Sequence, residues 1–179
     1  MFAHEFYFLR HGETEANASG VISGALDVDL TALGREQAQA AARILSSEPI
    51  TAIYSSPLRR ARDTAEPVAR LMQLPVYIIP ELTERRRGEL EGKSPHTPIE
   101  TSEAQDSESF DDFTARVLNG LSRVDCLAPL IVAHLGVFRV LCQSLDVVYA
   151  AGPVANALPL RFTPLEAARW KIEDLTTVR

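Results

Sequence analysis

The strongest constraint on how this chain can fold is an alternation along it. Short apolar runs take turns with stretches whose apolar residues recur every three or four positions. The first kind reads as buried strand and the second as amphipathic helix, which together predict an α/β domain with a mostly parallel sheet. The expected strands are Glu5 to Leu9, Thr51 to Ser55, Val76 to Ile79, Leu130 to Ala133, Leu158 to Phe162 and Ala168 to Asp174. The last alternates Ala168, Trp170 and Ile172 with Arg169, Lys171 and Glu173, the pattern of a half-exposed edge.

The helices carry their own start signals. One is expected from Thr31, with Ala38, Ala41, Ala42 and Leu45 on a single face. A second is expected with Ser56 as N-cap and Pro57 at its first position, and Pro67 should kink or end it. A third opens on Ser109 and Asp112 and presents Phe110, Phe113, Val117, Leu121 and Val124 at helical steps. A fourth starts near Gly136, directly behind the Leu-Ile-Val-Ala run. From about residue 85 to 108 there is little periodicity and much charge, which predicts a long surface loop at one end of the sheet.

Length and composition narrow the class further. A chain of 179 residues is one ordinary domain, expected to span 1–179, and 46% hydrophobic residues suffice for a core without disulfides. The net charge of −6 argues against nucleic acid or a membrane surface as the main partner. That charge is unevenly spread, because residues 100–112 hold six acids and no base, leaving the remainder neutral. The bases themselves are 16 Arg and 2 Lys. Cys126 and Cys142 are far apart and form no C-x-x-C pair, as expected of two buried thiols in a reducing compartment, the cytoplasm by default. The longest apolar stretch, residues 127–133, is too short to span a bilayer, and the first ten residues lack the pattern of a signal peptide.

Chemistry gathers at the strand ends. Arg10-His11-Gly12-Glu13-Thr14 follows the first strand, at the carboxyl end where open α/β sheets bind ligands. His134 repeats that layout after Leu-Ile-Val-Ala, and a helix beginning beside it would aim free N–H groups at the same spot. One such histidine is commonly a satisfied core residue, whereas two at matching strand ends point to a site. At a third strand end, residues 55–65 supply Arg59, Arg60 and Arg62. Arg59 has Asp63 and Arg62 has Glu66 one helical turn on, so both have expected surface partners. Arg60 has none and points about 100° away from Arg59, leaving its fork for a phosphate or carboxylate. The segment Gly88-Glu-Leu-Glu-Gly-Lys-Ser has a P-loop look but only three residues between its glycines, two of them glutamates, so nucleotide binding is rejected.

Five blocks in order now resemble the histidine phosphatase superfamily, the phosphoglycerate mutase-like family: RHGETEAN at 10–17, ISGALDVDLTALGREQA at 22–38, SSPLRRARDTA at 55–65, LTERRRGELEG at 82–92 and IVAHLG at 131–136. The resemblance implies a three-layer α/β/α domain around a sheet of about six strands. It makes His11 the nucleophile that becomes a phosphohistidine, with Arg10, Arg60 and His134 around the phosphoryl oxygens in place of a metal. Asn17 would donate a further hydrogen bond, and Glu84 would protonate the leaving alcohol and then activate water. Ser23, Gly24, Arg85 and Leu135 are the remaining candidates for substrate contact. No metal and no cofactor are expected.

The departures matter as well. The family places Gly directly after the second histidine, where this chain has Leu135 with Gly136 one later. Mutases carry an aromatic three residues after the acid and Trp after the ISG-like block, and here Arg87 and Ala25 stand there. The expected activity is therefore a metal-independent phosphomonoesterase on a small phosphorylated metabolite, working as a monomer or homodimer, with no nucleic-acid or membrane partner. A cofactor-dependent phosphoglycerate mutase is the alternative, and a non-catalytic module that binds phosphate or docks a partner through the acidic segment is a second. Arg85, Arg86 and Arg87 read equally as a second anion site or as a solvated run beside acids.

Overall fold

In a computed structural model of the chain, residues 2–96, 106–166 and 169–177 are described. The strands are β1 (Phe6–Arg10), β2 (Ala52–Ser55), β3 (Val76–Ile78), β4 (Pro129–Ala133), β5 (Pro159–Pro164) and β6 (Trp170–Asp174). They form one sheet in the order β3-β2-β4-β1-β5-β6, with β3, β2, β4 and β1 parallel and β5 and β6 antiparallel. Every expected strand is present, shifted at most by two residues at an end; Ala168, expected to open the last, lies outside the described residues.

Among the described residues the α-helices are α1 (Glu15–Ala18), α2 (Ala32–Leu45), α3 (Arg59–Met72), α4 (Phe110–Leu121) and α5 (Leu135–Ser144). Side chains of β1 alternate between two apolar clusters. Phe6 and Phe8 join Phe113, Val117, Val137 and Leu141 from α4 and α5, whereas Tyr7 and Leu9 join Ala41, Leu45, Ala61 and Val68 from α2 and α3. The result is the expected three-layer α/β/α arrangement. Burying both faces explains why β1 up to Leu9 and the whole of β4 lack charged residues. Among the described residues, no helix is long and apolar enough to cross a membrane.

Helix boundaries show where local signals were overruled. Thr31 caps α2 through Gly34 N–H, and Ser109 caps α4 through Asp112 N–H at 3.0 Å, both as expected. The expected Ser56 cap fails: Leu58 is the N-cap of α3, with no side-chain hydrogen bond there. Ser56 instead continues the β2 ladder, its N–H donating to Val132 at 3.0 Å, and its hydroxyl is engaged by His134 at 2.7 Å. Pro67 does not end α3, which continues to Met72. Burial of Ala61, Ala65 and Val68 against the sheet outweighs the one N–H that proline withholds. The loop from 85 contains a 3₁₀ turn at Gly88–Leu90 whose Leu90 is buried; residues 97–105 of it lie outside the described set.

Register then places the site. Arg10 of β1 sits opposite Ala133 of β4, and Ser55 of β2 opposite Val132, so the next residues along each strand, His11, His134 and Ser56, emerge side by side at one sheet end.

Candidate active site

His11 and His134 face each other with ring centroids 5.2 Å apart, and both are almost wholly buried. The Nδ1 of His11 lies 2.8 Å from the Gly12 carbonyl oxygen, an acceptor only. That contact places the proton on Nδ1 and leaves Nε2 with its lone pair. Burial, reinforced by the Arg60 and Arg10 charges, lowers the His11 pKa to about 3, so the ring is neutral at physiological pH. A neutral imidazole with one nitrogen anchored and the other free is a competent nucleophile.

The Gly12 carbonyl is itself held in place. Gly12 N–H donates to Thr64 Oγ1 at 2.9 Å, and Thr64 Oγ1 donates to the Arg60 carbonyl at 2.6 Å. Gly12 also backs onto Gly34 at the start of α2, where a Cβ on either glycine would clash with backbone of the other segment. The His11 turn is thus wedged between α2 and α3.

His134 lies under the cleft floor. Its Nε2 meets Ser56 Oγ, which also accepts the Leu58 N–H at 3.3 Å. The Ser56 hydroxyl can donate to Nε2 or accept from it, and in the first case Nδ1 carries the hydrogen. That Nδ1 is buried with no hydrogen-bond partner, as are the Nε atoms of Arg10 and Arg60. Two buried guanidinium donors left unsatisfied in one site are costly unless an anion completes them. Burial and the Arg60 charge hold His134 well below the usual histidine pKa, so it too is neutral.

Arg60 is fully buried. Its two terminal nitrogens donate to the carbonyls of Leu26 at 2.6 Å and Gly24 at 2.8 Å, which fix the fork. Burial lowers its pKa to about 10, so it stays charged at neutral pH. The inward course of Arg60 matches expectation, but the partners expected for its neighbours do not. Arg59 pairs with Asp27 and Asp29 from the preceding loop at 3.3 and 3.0 Å, and Glu66 pairs with Arg70. Loop carboxylates arriving from elsewhere in the chain displaced the local i, i+4 option for Arg59.

A cleft of about 460 Å³ opens above this floor, lined by Arg10, His11, Asn17, Ser23, Gly24, Arg60, Glu84, Arg85 and Leu135 among others. Every candidate but His134 is thus in its wall. Glu84 accepts the backbone N–H groups of Arg85 at 2.7 Å and Gly136 at 2.9 Å. A Cβ at Gly136 would collide with that carboxylate, so the glycine one place late still serves the site by leaving room for Glu84. Asn17 accepts through Oδ1 from Thr14 N–H, Thr14 Oγ1 and Asn156 Nδ2 at 3.1–3.2 Å, leaving its amide nitrogen as the free donor. Gly24 turns at φ +49°, a conformation glycine adopts without strain, with Glu91 in the space a Cβ would fill. Glu91 itself accepts the N–H groups of Ala25 and Arg87 at 2.9 and 2.8 Å, so the rejected P-loop look-alike ties two cleft walls together.

Sequence reasoning missed Arg139, Asn156 and the Ser56–His134 contact. Arg139 lines the cleft four residues after Leu135, and that i, i+4 relation on one helix face was the available signal. Asn156 reaches the His11 carbonyl from far along the chain at 2.9 Å, with no local signal at all. Among the described residues, no three His, Cys, Asp or Glu side chains are grouped so as to hold a metal ion.

Comparison with known proteins agrees with this geometry. A metal-independent phosphoserine phosphatase of Arabidopsis thaliana is 32% identical over 97% of this chain and 82% of its own length. An adenosylcobalamin/alpha-ribazole phosphatase of Salmonella typhimurium is 34% identical over 81% of each. Among solved structures, a mycobacterial glucosyl-3-phosphoglycerate phosphatase in complex with VO3 matches with a TM-score of 0.80 and 27% identity, covering 96% of this chain and 98% of that one. The model of the histidine phosphatase superfamily, branch 1, matches residues 6–155, and the chain belongs to that superfamily.

Proposed function

We propose that the protein is a metal-independent phosphomonoesterase that hydrolyses a small phosphorylated metabolite through a phosphohistidine on His11. The observation that carries this reading is the state of His11. It is buried, neutral and anchored through Nδ1, in a site where the buried Nε donors of Arg10 and Arg60 and the His134 Nδ1 have no hydrogen-bond partner. Nε2 attacks phosphorus as the ester P–O bond breaks, and the departing oxygen takes its proton from Glu84, which enters this step as the carboxylic acid. The Arg10 and Arg60 guanidiniums, His134 Nδ1–H and the Asn17 amide take up charge on the phosphoryl oxygens, where the transition state spreads it. Glu84, now a carboxylate, takes a proton from water as the water oxygen attacks phosphorus and frees His11. Three relatives, named as phosphatases of phosphoserine, alpha-ribazole and glucosyl-3-phosphoglycerate, support a small metabolite as the substrate class. A reducing compartment, the cytoplasm, fits the free thiols of Cys126 and Cys142.

Rapid acid-free quenching with a ³²P-labelled ester should trap a phosphoenzyme that is stable to base and labile to acid. It should vanish, with turnover falling by about 10³-fold or more, in His11→Ala. A label that survives in that variant would overturn the mechanism.

A further inference from the structure

The phosphoryl cage accounts for Arg10 and Arg60, but the same cleft is lined by three more arginines that the chemistry does not use: Arg85, Arg87 and Arg139. Arg85 donates through Nε to the Glu108 carbonyl at 2.8 Å and lies over the Phe110 ring, 5.8 Å from its centroid. Arg87 is held at its backbone by Glu91, and its guanidinium has no hydrogen-bond or ion-pair partner among the described residues. Arg139 likewise meets no carboxylate among the described residues. Of the other arginines, Arg59, Arg70, Arg116, Arg123 and Arg161 are paired with acids, and Arg35, Arg43 and Arg62, which pair with none among the described residues, lie outside this cleft. Burial and then the Arg85 charge lower the pKa of Arg87, and Arg139 acts in the same direction on both Arg87 and Arg10. Arg139 thus lies within electrostatic reach of the cage on one side and of the outer arginines on the other. Like charges converging on a cleft repel one another until an anion enters between them. Arg86, between the two lining arginines, points away to the Asp106 carbonyl at 3.0 Å, so the run of three is sorted rather than uniformly solvated.

We propose that Arg85, Arg87 and Arg139 form a second anion subsite, and that the substrate is a phosphomonoester carrying another negative group, a carboxylate or second phosphate, a few bonds from the scissile one. This rests on the phosphomonoesterase reading and deepens it. The forked, permanently charged guanidinium matches either group bidentately. Arg87 also explains itself this way, since it stands where the mutase pattern has an aromatic.

Matched substrate pairs test the subsite. 3-Phosphoglycerate against glycerol 3-phosphate, and O-phosphoserine against phosphoethanolamine, differ essentially by a carboxylate; fructose 1,6-bisphosphate against fructose 6-phosphate adds a phosphate. The doubly anionic member of at least one pair should have kcat/KM about tenfold higher, mostly through KM, and the winning pair identifies the second group. R87Q/R139Q should bring that ratio down at least fivefold, and R139Q alone, at an exposed position on α5, should lower it in the same direction. Ratios near one in all three pairs, or ratios unmoved by both variants, would overturn the subsite while leaving the esterase reading intact. Hydrolysis of none of the six esters would instead overturn both.

Discussion

Neutral histidines in an interior have a thermodynamic cost that shows up with pH. His11 and His134 both have folded-state pKa values below the ordinary 6.5, His11 at about 3, because burial and then the Arg60 charge disfavour the imidazolium. Between pH 6.5 and about 3 the unfolded chain therefore binds more protons than the folded one, and stability falls as pH drops through that window. Urea denaturation at a series of pH values should show that slope, and His11→Asn should flatten part of it; equal midpoints from pH 6.5 down to 4 would contradict the burial argument. At this scale much was legible in the sequence. His11, Arg10, His134 and Arg60 were all visible as polar residues at strand ends or without a local partner. The roles of Ser56 and Asn156 were not, because each depends on a contact with a residue brought near only by folding, 78 positions away for Ser56 and 145 for Asn156.

Elements follow local signals until packing competes with them. Thr31 and Ser109 cap as expected although each hydroxyl also donates to a carboxylate, Thr31 to Glu13 and Ser109 to Asp112, because a donating hydroxyl keeps lone pairs for the helix N–H. Ser56 does not, because its backbone continues the β2 ladder and the helix begins only after Leu58, whose N–H the Ser56 hydroxyl accepts while also meeting His134. Pro67 sits inside α3 at the expense of one hydrogen bond, and the helix persists on the strength of its buried face. Pro67→Ala should restore the bond to the Asp63 carbonyl and raise stability by about 1–2 kcal/mol, the helix-interior gain less the extra freedom of the unfolded chain. A lowered urea midpoint for this variant would mean that the proline is required for packing. The 3₁₀ turn at Gly88–Leu90 escaped notice in the sequence because its segment has no periodicity; it is organised by Glu91 and by Leu90 burial instead.

For the whole molecule, the net charge of −6 misdescribes the site. Among the described residues, five arginines and a single acid, Glu84, line one cleft, while other acids such as Glu108 are spent on a structural partner, here Arg116 at 2.8 Å. Field lines concentrated in a cleft steer an anionic substrate whatever the overall charge. Raising ionic strength from about 10 to 300 mM with chloride salts should therefore lower kcat/KM severalfold while leaving kcat nearly unchanged. An increase with salt would show that the outer negative charge governs encounter.

By itself the sequence determined the strands, the helix faces and the polar side chains at strand ends, because these rest on local periodicity, while its resemblance to the superfamily implied the three layers and the phosphate-handling roles of Arg10, His11, Arg60 and His134. Tertiary structure decided which nitrogen of His11 carries the proton, which arginines turn into the cleft and how Glu84 is held. Those outcomes depend on carbonyls, hydroxyls and carboxylates supplied by distant segments, and sheet register with close glycine contacts brings them within hydrogen-bonding range.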